Sequence, residues 1–312
     1  MKKRWISILL LVALLLSLAG CSEGAPVSVE DTFENAIVWG NTRAAEQGDY
    51  LAMRSENNGA PALILYNKKT EKADVLVEDD VYHIGFGGNR IFFKTVGTDR
   101  LYCYELETKK IKTVDPSVYS YQVWNNTLYF INGEHGNYYY TVDLETMAKT
   151  QVETGYTVDR LYLTDYGVYY YDDTRDILMV SPHREQLERL VYHCVNATMQ
   201  SVISMGGANV MMLVASDQDE SATLISYHAA QNKTVRHLTG SFSHFNFTNG
   251  YAVTVNSKNH TVFAVDPAAE KNYTVCGVGE YENVQIMSDC VILYNGNRSE
   301  IQYFNIGDQD HA

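Results

Sequence analysis

The chain repeats itself about every forty residues, and that period limits its fold more than any single motif does. Residues 101–114 read LYCYELETKKIKTV and residues 138–152 read YYYTVDLETMAKTQV. Both place aromatic alternation before an acidic residue and Leu, then Glu-Thr, then a second short β-type run. The full unit is a run, a tight turn, a second run, a loop, a third run, a turn and a fourth run. Its second run begins near Tyr50, Arg90, Thr127, Gly167, Val210, Tyr251 and Val291, at spacings of 40, 37, 40, 43, 41 and 40 residues. The turns before those runs are hairpin residues such as Gly87-Gly88-Asn89, Asn125-Asn126 and Asn249-Gly250.

Four antiparallel strands per repeat predict an all-β fold, a β-propeller of four-stranded blades. A parallel β-helix would have shorter rungs and no such hairpins. First strands are expected near Asn35, Val81, Tyr119, Thr157, Met199, Ser243 and Asn283, which gives seven blades, with six or eight as alternatives. Only six fourth strands are found, because the last run, 301–306, is followed by a polar tail at 307–312. Residues 26–30 (Pro-Val-Ser-Val-Glu) are expected to supply the missing outer strand, so that one domain spans 26–306 and is closed by its own N-terminal strand.

The first twenty residues have another character. Lys2, Lys3 and Arg4 precede an apolar run from Ile6 to Leu18, shorter than the roughly 20 residues of a spanning helix, and small residues follow. This is the pattern of a secretory signal. Leu18-Ala19-Gly20-Cys21 resembles the lipobox of bacterial lipoproteins. The resemblance implies cleavage before Cys21, diacylation of its thiol, and a lipid-anchored position on the extracytoplasmic side of the cell membrane. Residues 1–20 are then the signal peptide and 21–25 a short tether. The lipobox, Gly40-Asn41-Thr42 and the Tyr-rich repeats over about 35–306 together resemble an uncharacterised propeller domain of Gram-positive surface lipoproteins, distantly like the YWTD propellers of lipoprotein receptors. Here Gly-Asn-Thr continues Arg43-Ala44-Ala45-Glu46-Gln47 rather than with more Gly and Asn, and Val168-Tyr-Tyr-Tyr-Asp172 is a faint relative of the YWTD motif.

The net charge is −14, and loss of residues 1–20 removes three basic and no acidic residues, giving −17. Such a chain, without basic clusters, repels phosphate backbones, so nucleic acid is not an expected partner. A monomer is expected. Cys103, Cys194, Cys276 and Cys290 show no Cys-x-x-Cys spacing; Cys103 reads as a buried apolar residue, and Cys276 and Cys290 either pair or stay free. No Gly-x-Ser-x-Gly elbow, His-Glu-x-x-His pair or phosphate loop occurs. Asp217-Gln-Asp219-Glu-Ser221 opens like a calcium loop, but Ala222 stands where Gly is needed and His228 where Glu is needed. Asp79-Asp80 and Asp172-Asp173 are paired carboxylates of the kind glycosidases use, and equally the acidic loops of an acidic chain. No catalytic residue, metal ligand or cofactor is assigned.

In a four-stranded meander the starts of the inner strands share one face with the loops between second and third strands. That face should gather Tyr82, His83, Tyr119, Tyr121, Tyr156, His244 and Tyr281, either as a ligand site or as rings wedged between blades. Alternation predicts that Tyr119 and Tyr121 share one side of their strand and that Tyr82 and His83 take opposite sides. The expected role is a membrane-anchored binding or scaffold protein whose propeller face takes a small molecule, sugar, peptide or protein. A carbohydrate hydrolase or lyase, and an assembly factor for envelope proteins, are the alternatives.

Overall fold

The computed structural model describes residues 42–124, 126–133, 136–183 and 187–306. They form seven antiparallel sheets: six have four strands in chain order, and the last has three. The inner strands are Ala44–Gln47, Val81–Gly87, Ser120–Trp124, Arg160–Leu163, Ala197–Gly206, Phe242–Thr248 and Asn283–Ile286, for blades 1 to 7. Among the described residues no helix is long and apolar enough to cross a membrane.

The Glu-Thr repeat is the turn between third and fourth strands. In blade 3 the Asp143 carboxylate accepts the N–H groups of Glu145 and Thr146 at 3.0 and 2.7 Å, and Met147 then takes φ +59°. Asn67 and Asp266 cap the same turn in blades 1 and 6, with Glu71 and Glu270 at φ +55° and +53°. A short polar side chain that satisfies its own turn makes this hairpin repeatable. The Leu inside the motif does a different job: Leu106 and Leu144 are buried in the cores beside blade 2 and blade 3. Gly167 opens the second strand of blade 4, where a Cβ would lie 2.4 Å from the Ser181 carbonyl oxygen, so no side chain fits.

Seven hydrophobic cores lie between neighbouring blades. Blades 4 and 5, for example, share Tyr162, Tyr169 and Tyr171 with Met199, Val210 and Met212. The seventh core joins Ala44, Leu51 and Met53 of blade 1 to Met287, Cys290, Ile292 and Tyr294 of blade 7, so the sheets form a closed ring. Polar bonds reinforce this seam. Gln285 Oε1 accepts the N–H groups of Arg43 and Ala44, both at 2.8 Å, Lys68 pairs with Asp289 at 3.1 Å, and Ser299 meets Ser55 at 2.7 Å.

The start of blade 1 differs from expectation. The inner strand of blade 1 is Ala44–Gln47, not a run near Asn35, which lies outside the described residues. Ala-Ala-Glu-Gln has no strand preference of its own; its pairing with Tyr50–Met53 and the grip of Gln285 make it a strand. Cys276 and Cys290 are both free. Residues 26–30, the expected closing strand, also lie outside the described residues.

Candidate functional site

On the top face, where the chain enters each inner strand, blades 2 and 6 carry equivalent β-bulges. Inner-strand pairing slips between Tyr82 and Gly85 in blade 2 and between Phe242 and Phe245 in blade 6. Counted back from the hairpins at Gly87–Arg90 and Thr248–Tyr251, His83 and His244 occupy the same position. His83 has φ +48°. The bulge overturns simple alternation: the rings of Tyr82 and His83 lie together, with centroids 4.8 Å apart. A bulge also frees a main-chain carbonyl, and both are recaptured by side chains. The Tyr121 hydroxyl donates to the His83 carbonyl, and Thr254 Oγ1 donates to that of His244 at 2.7 Å.

Burial, and then the nearby Lys94 ammonium, pushes His83 down to about 4; burial pushes His244 down to about 4. Both imidazoles are therefore neutral at neutral pH, each offering one donor and one acceptor nitrogen. Lys94 is itself 2 % exposed, and burial lowers its pKa. Its ammonium donates to the Val118 carbonyl at 2.6 Å and to Asp99 at 3.3 Å, and stands 5.5 Å from the Tyr82 ring centre.

Beside this cluster Arg54 ties three blades together. Its Nε meets Asp80 at 2.6 Å, Nη1 donates to the Gly296 carbonyl at 3.1 Å, and Nη2 donates to Asn297 Oδ1 at 2.9 Å. A cleft of about 340 Å³ opens here, lined by Arg43, Arg54, Asp80, Val81, Tyr82, Val96 and Gly97.

The other aromatic residues are dispersed around the ring. Tyr119 is 46 % exposed and sits one residue ahead of its strand, whereas Tyr121 is 6 % exposed and packs in the core between blades 2 and 3. Tyr156 leads into blade 4, beneath the Arg175 guanidinium at 5.7 Å, and leans on the core between blades 3 and 4. His244 Nδ1 meets Ser243 Oγ at 2.9 Å. Tyr281 stacks at 4.9 Å on His260, which lies on the top loop of blade 6. Of the seven, Tyr82 lies against the His83 ring and Tyr121 bonds the His83 main chain.

The carboxylates singled out in the sequence have structural partners. Asp172 is fully buried, caps Thr174 and Arg175 and meets the Arg175 guanidinium at 2.5 Å. Asp173 faces Arg160 at 3.4 Å. Asp219 accepts the Ser221 N–H at 2.8 Å, within its own loop. Among the described residues no three His, Cys, Asp or Glu side chains converge as a metal site would require.

Sequence reading missed Gln122 and Gln285. Gln122 donates to the Leu161 carbonyl at 2.8 Å and accepts the Leu163 N–H at 2.9 Å, clasping blade 4 as Gln285 clasps blade 1. The available signal was a Gln between apolar neighbours at the third position of an inner strand, in Tyr121-Gln122-Val123 and Val284-Gln285-Ile286.

Seven such blades around one axis define a seven-bladed β-propeller. No family model matches the chain, and no curated protein does. Solved propellers match across most of its length. A chain of the mitotic checkpoint complex superposes with TM-score 0.61 at 9 % identity, covering 90 % of this chain and 93 % of that one. An oligogalacturonate lyase from Vibrio parahaemolyticus gives 0.60 at 12 % identity, covering 90 % and 96 %. A chain of a nidogen–laminin complex gives 0.51 at 12 % identity, covering 77 % and 92 %. At these identities the likeness is one of fold.

Proposed function

We propose that this protein is an extracytoplasmic binding protein, anchored to the cell membrane by lipid on Cys21, whose top face takes a ligand. The observation that carries the reading is the cleft beside Tyr82 and His83. It has both apolar walls and charged groups, and its Tyr82 wall belongs to the bulge locked by Tyr121. A rigid frame with a polar, partly aromatic hollow is suited to selective binding. The nidogen–laminin and checkpoint assemblies, in which propellers sit in protein complexes, and the oligogalacturonate lyase are consistent with ligand recognition on such a fold. The carbohydrate-active alternative gains nothing from Asp172 and Asp173, whose oxygens face arginines.

Two measurements test this reading. Fatty-acid labelling in cells should mark the wild-type chain and not Cys21→Ser; label retained on the variant removes the anchor. Calorimetric titration with a panel of sugars, short peptides and organic acids should find a binder whose affinity falls in Tyr82→Ala. A binder unaffected by that change would move the site off the top face.

A further inference from the structure

Most cationic groups of the top face are already matched. Arg54 has Asp80, Gly296 and Asn297, Lys94 has Val118 and Asp99, Arg160 has Asp173, and Arg175 has Asp172. Arg43 differs. Among the described residues its guanidinium has no hydrogen-bond or ion-pair partner; it stands over the Tyr294 ring, 5.4 Å from its centre. Yet the residue is well fixed. Its N–H is held by Gln285 Oε1 at 2.8 Å, its carbonyl accepts the Arg54 N–H at 2.7 Å, and Tyr294 beneath it is 0 % exposed.

A guanidinium resting on a buried aromatic ring, on a half-buried residue that lines a hollow, is a preorganised fork for an anion. The surroundings select which anion. Asp80 is turned to Arg54, so of the charged groups lining the cleft Arg43 alone lacks a counter-charge. One uncompensated positive charge matches a monoanion, and the nearby Asp80 carboxylate opposes a dianion such as phosphate. Two coplanar oxygens fit one guanidinium edge, which is the geometry of a carboxylate. Val81, Val96 and the Tyr82 ring offer apolar contact to the rest of the molecule, and about 340 Å³, at the small end of ligand pockets, has room for a single sugar or amino acid.

We propose that the cleft between blades 1 and 2 binds a small carboxylate ligand, with Arg43 as the carboxylate-recognising residue. The proposal rests on the top-face binding reading and narrows it to one chemistry. It covers an acidic sugar and an apolar organic acid alike, and the experiment separates them.

The full chain, purified in detergent, is titrated with galacturonate against galactose and with 3-phenylpropionate against 3-phenylpropanamide. Each pair differs chiefly in the carboxylate. At least one acid should bind about tenfold or more tightly than its neutral partner, as a charge-assisted pair predicts. Whichever acid does so names the ligand class. Arg43→Gln should remove that advantage with an unchanged melting temperature, and Arg43→Lys, which keeps charge but loses the fork, should fall between. If Arg43→Gln does not fold, the acid–neutral comparison on the unaltered chain decides alone. Acids that bind no better than their neutral partners, or not at all, overturn the proposal, as does an Arg43→Gln chain that binds like wild type. A neutral ligand lost in Tyr82→Ala but kept in Arg43→Gln would sink the carboxylate inference and leave the top-face reading standing.

Discussion

Gln285 holds Ala44 by both of its main-chain polar groups, accepting the N–H at 2.8 Å and donating to the carbonyl, across 241 residues of sequence. The same Oε1 also takes the Arg43 N–H. Gln285→Ala leaves three main-chain groups at the ring seam without this partner. Leaving buried polar groups unsatisfied costs about 1–3 kcal/mol each where water cannot reach them, so a loss of roughly 2–4 kcal/mol is expected. Urea denaturation measures it. A change under about 0.5 kcal/mol, the range of an ordinary surface substitution, would show that the clasp is incidental.

Tyr121 separates packing from binding. Its ring fills the core between blades 2 and 3, and its hydroxyl supports the bulge at His83. Tyr121→Ala should lose about 3–5 kcal/mol through the cavity it leaves. Tyr121→Phe keeps the ring and gives up the hydrogen bond, a loss of about 1 kcal/mol. Thermal melts without ligand give both values, and a fully stable Tyr121→Ala would contradict the packing role.

The two bulge histidines make stability depend on pH. In the folded chain His83 and His244 titrate at about 4, against 6.5 for an unperturbed imidazole. Between those values the unfolded chain holds protons that the folded chain does not, so stability present above about 6.5 is lost as pH falls toward 4. Melting temperature should drop over that window, and less steeply in the His83→Gln, His244→Gln double variant. Parallel profiles for the two proteins would exclude the histidines as the cause.

Blade 7 has an outer edge unlike the others. Its third strand, Arg298–Tyr303, has no fully buried residue, whereas the third strand of blade 5, Ala222–His228, is largely buried beneath a fourth. From the repeat pattern we propose that residues 26–30 cover that edge. Their deletion should lower the denaturation midpoint and cause concentration-dependent association through the exposed strand. Light scattering and urea titration check both effects; an equally stable, monodisperse deletion variant would refute the placement.

The blades were legible because the signals that make them are local. Asp143 and Asn67 carry their own turn chemistry, and runs such as 101–105 alternate without help from elsewhere. What escaped was set by contacts distant in sequence. Ala44–Gln47 becomes a strand only against Tyr50–Met53 and under Gln285. Nothing in Val81-Tyr82-His83 announces a bulge, so period-two reasoning placed Tyr82 and His83 on opposite sides. The blade 4 strand starts at Arg160 rather than near Thr157, because Val158 and Asp159 are drawn into the approach by bonds to Gly136 and Tyr171. Of the aromatic face, position along the axis could be read from the repeat, but which rings would meet could not.

The seam between blades 7 and 1 has a mechanical consequence. The described chain enters at Thr42, just ahead of the strand that Gln285 grips, and leaves at Ile306, just past the last strand of blade 7. Tension applied through the N-terminal side, once it has stripped off the edge strand proposed for residues 26–30, loads Ala44 and pulls along the joint held by Gln285, Lys68–Asp289 and Arg298–Glu56. The other six joints are crossed by continuous chain. A pulled propeller of this construction should yield at one place, opening like a bracelet at its clasp before any blade comes apart.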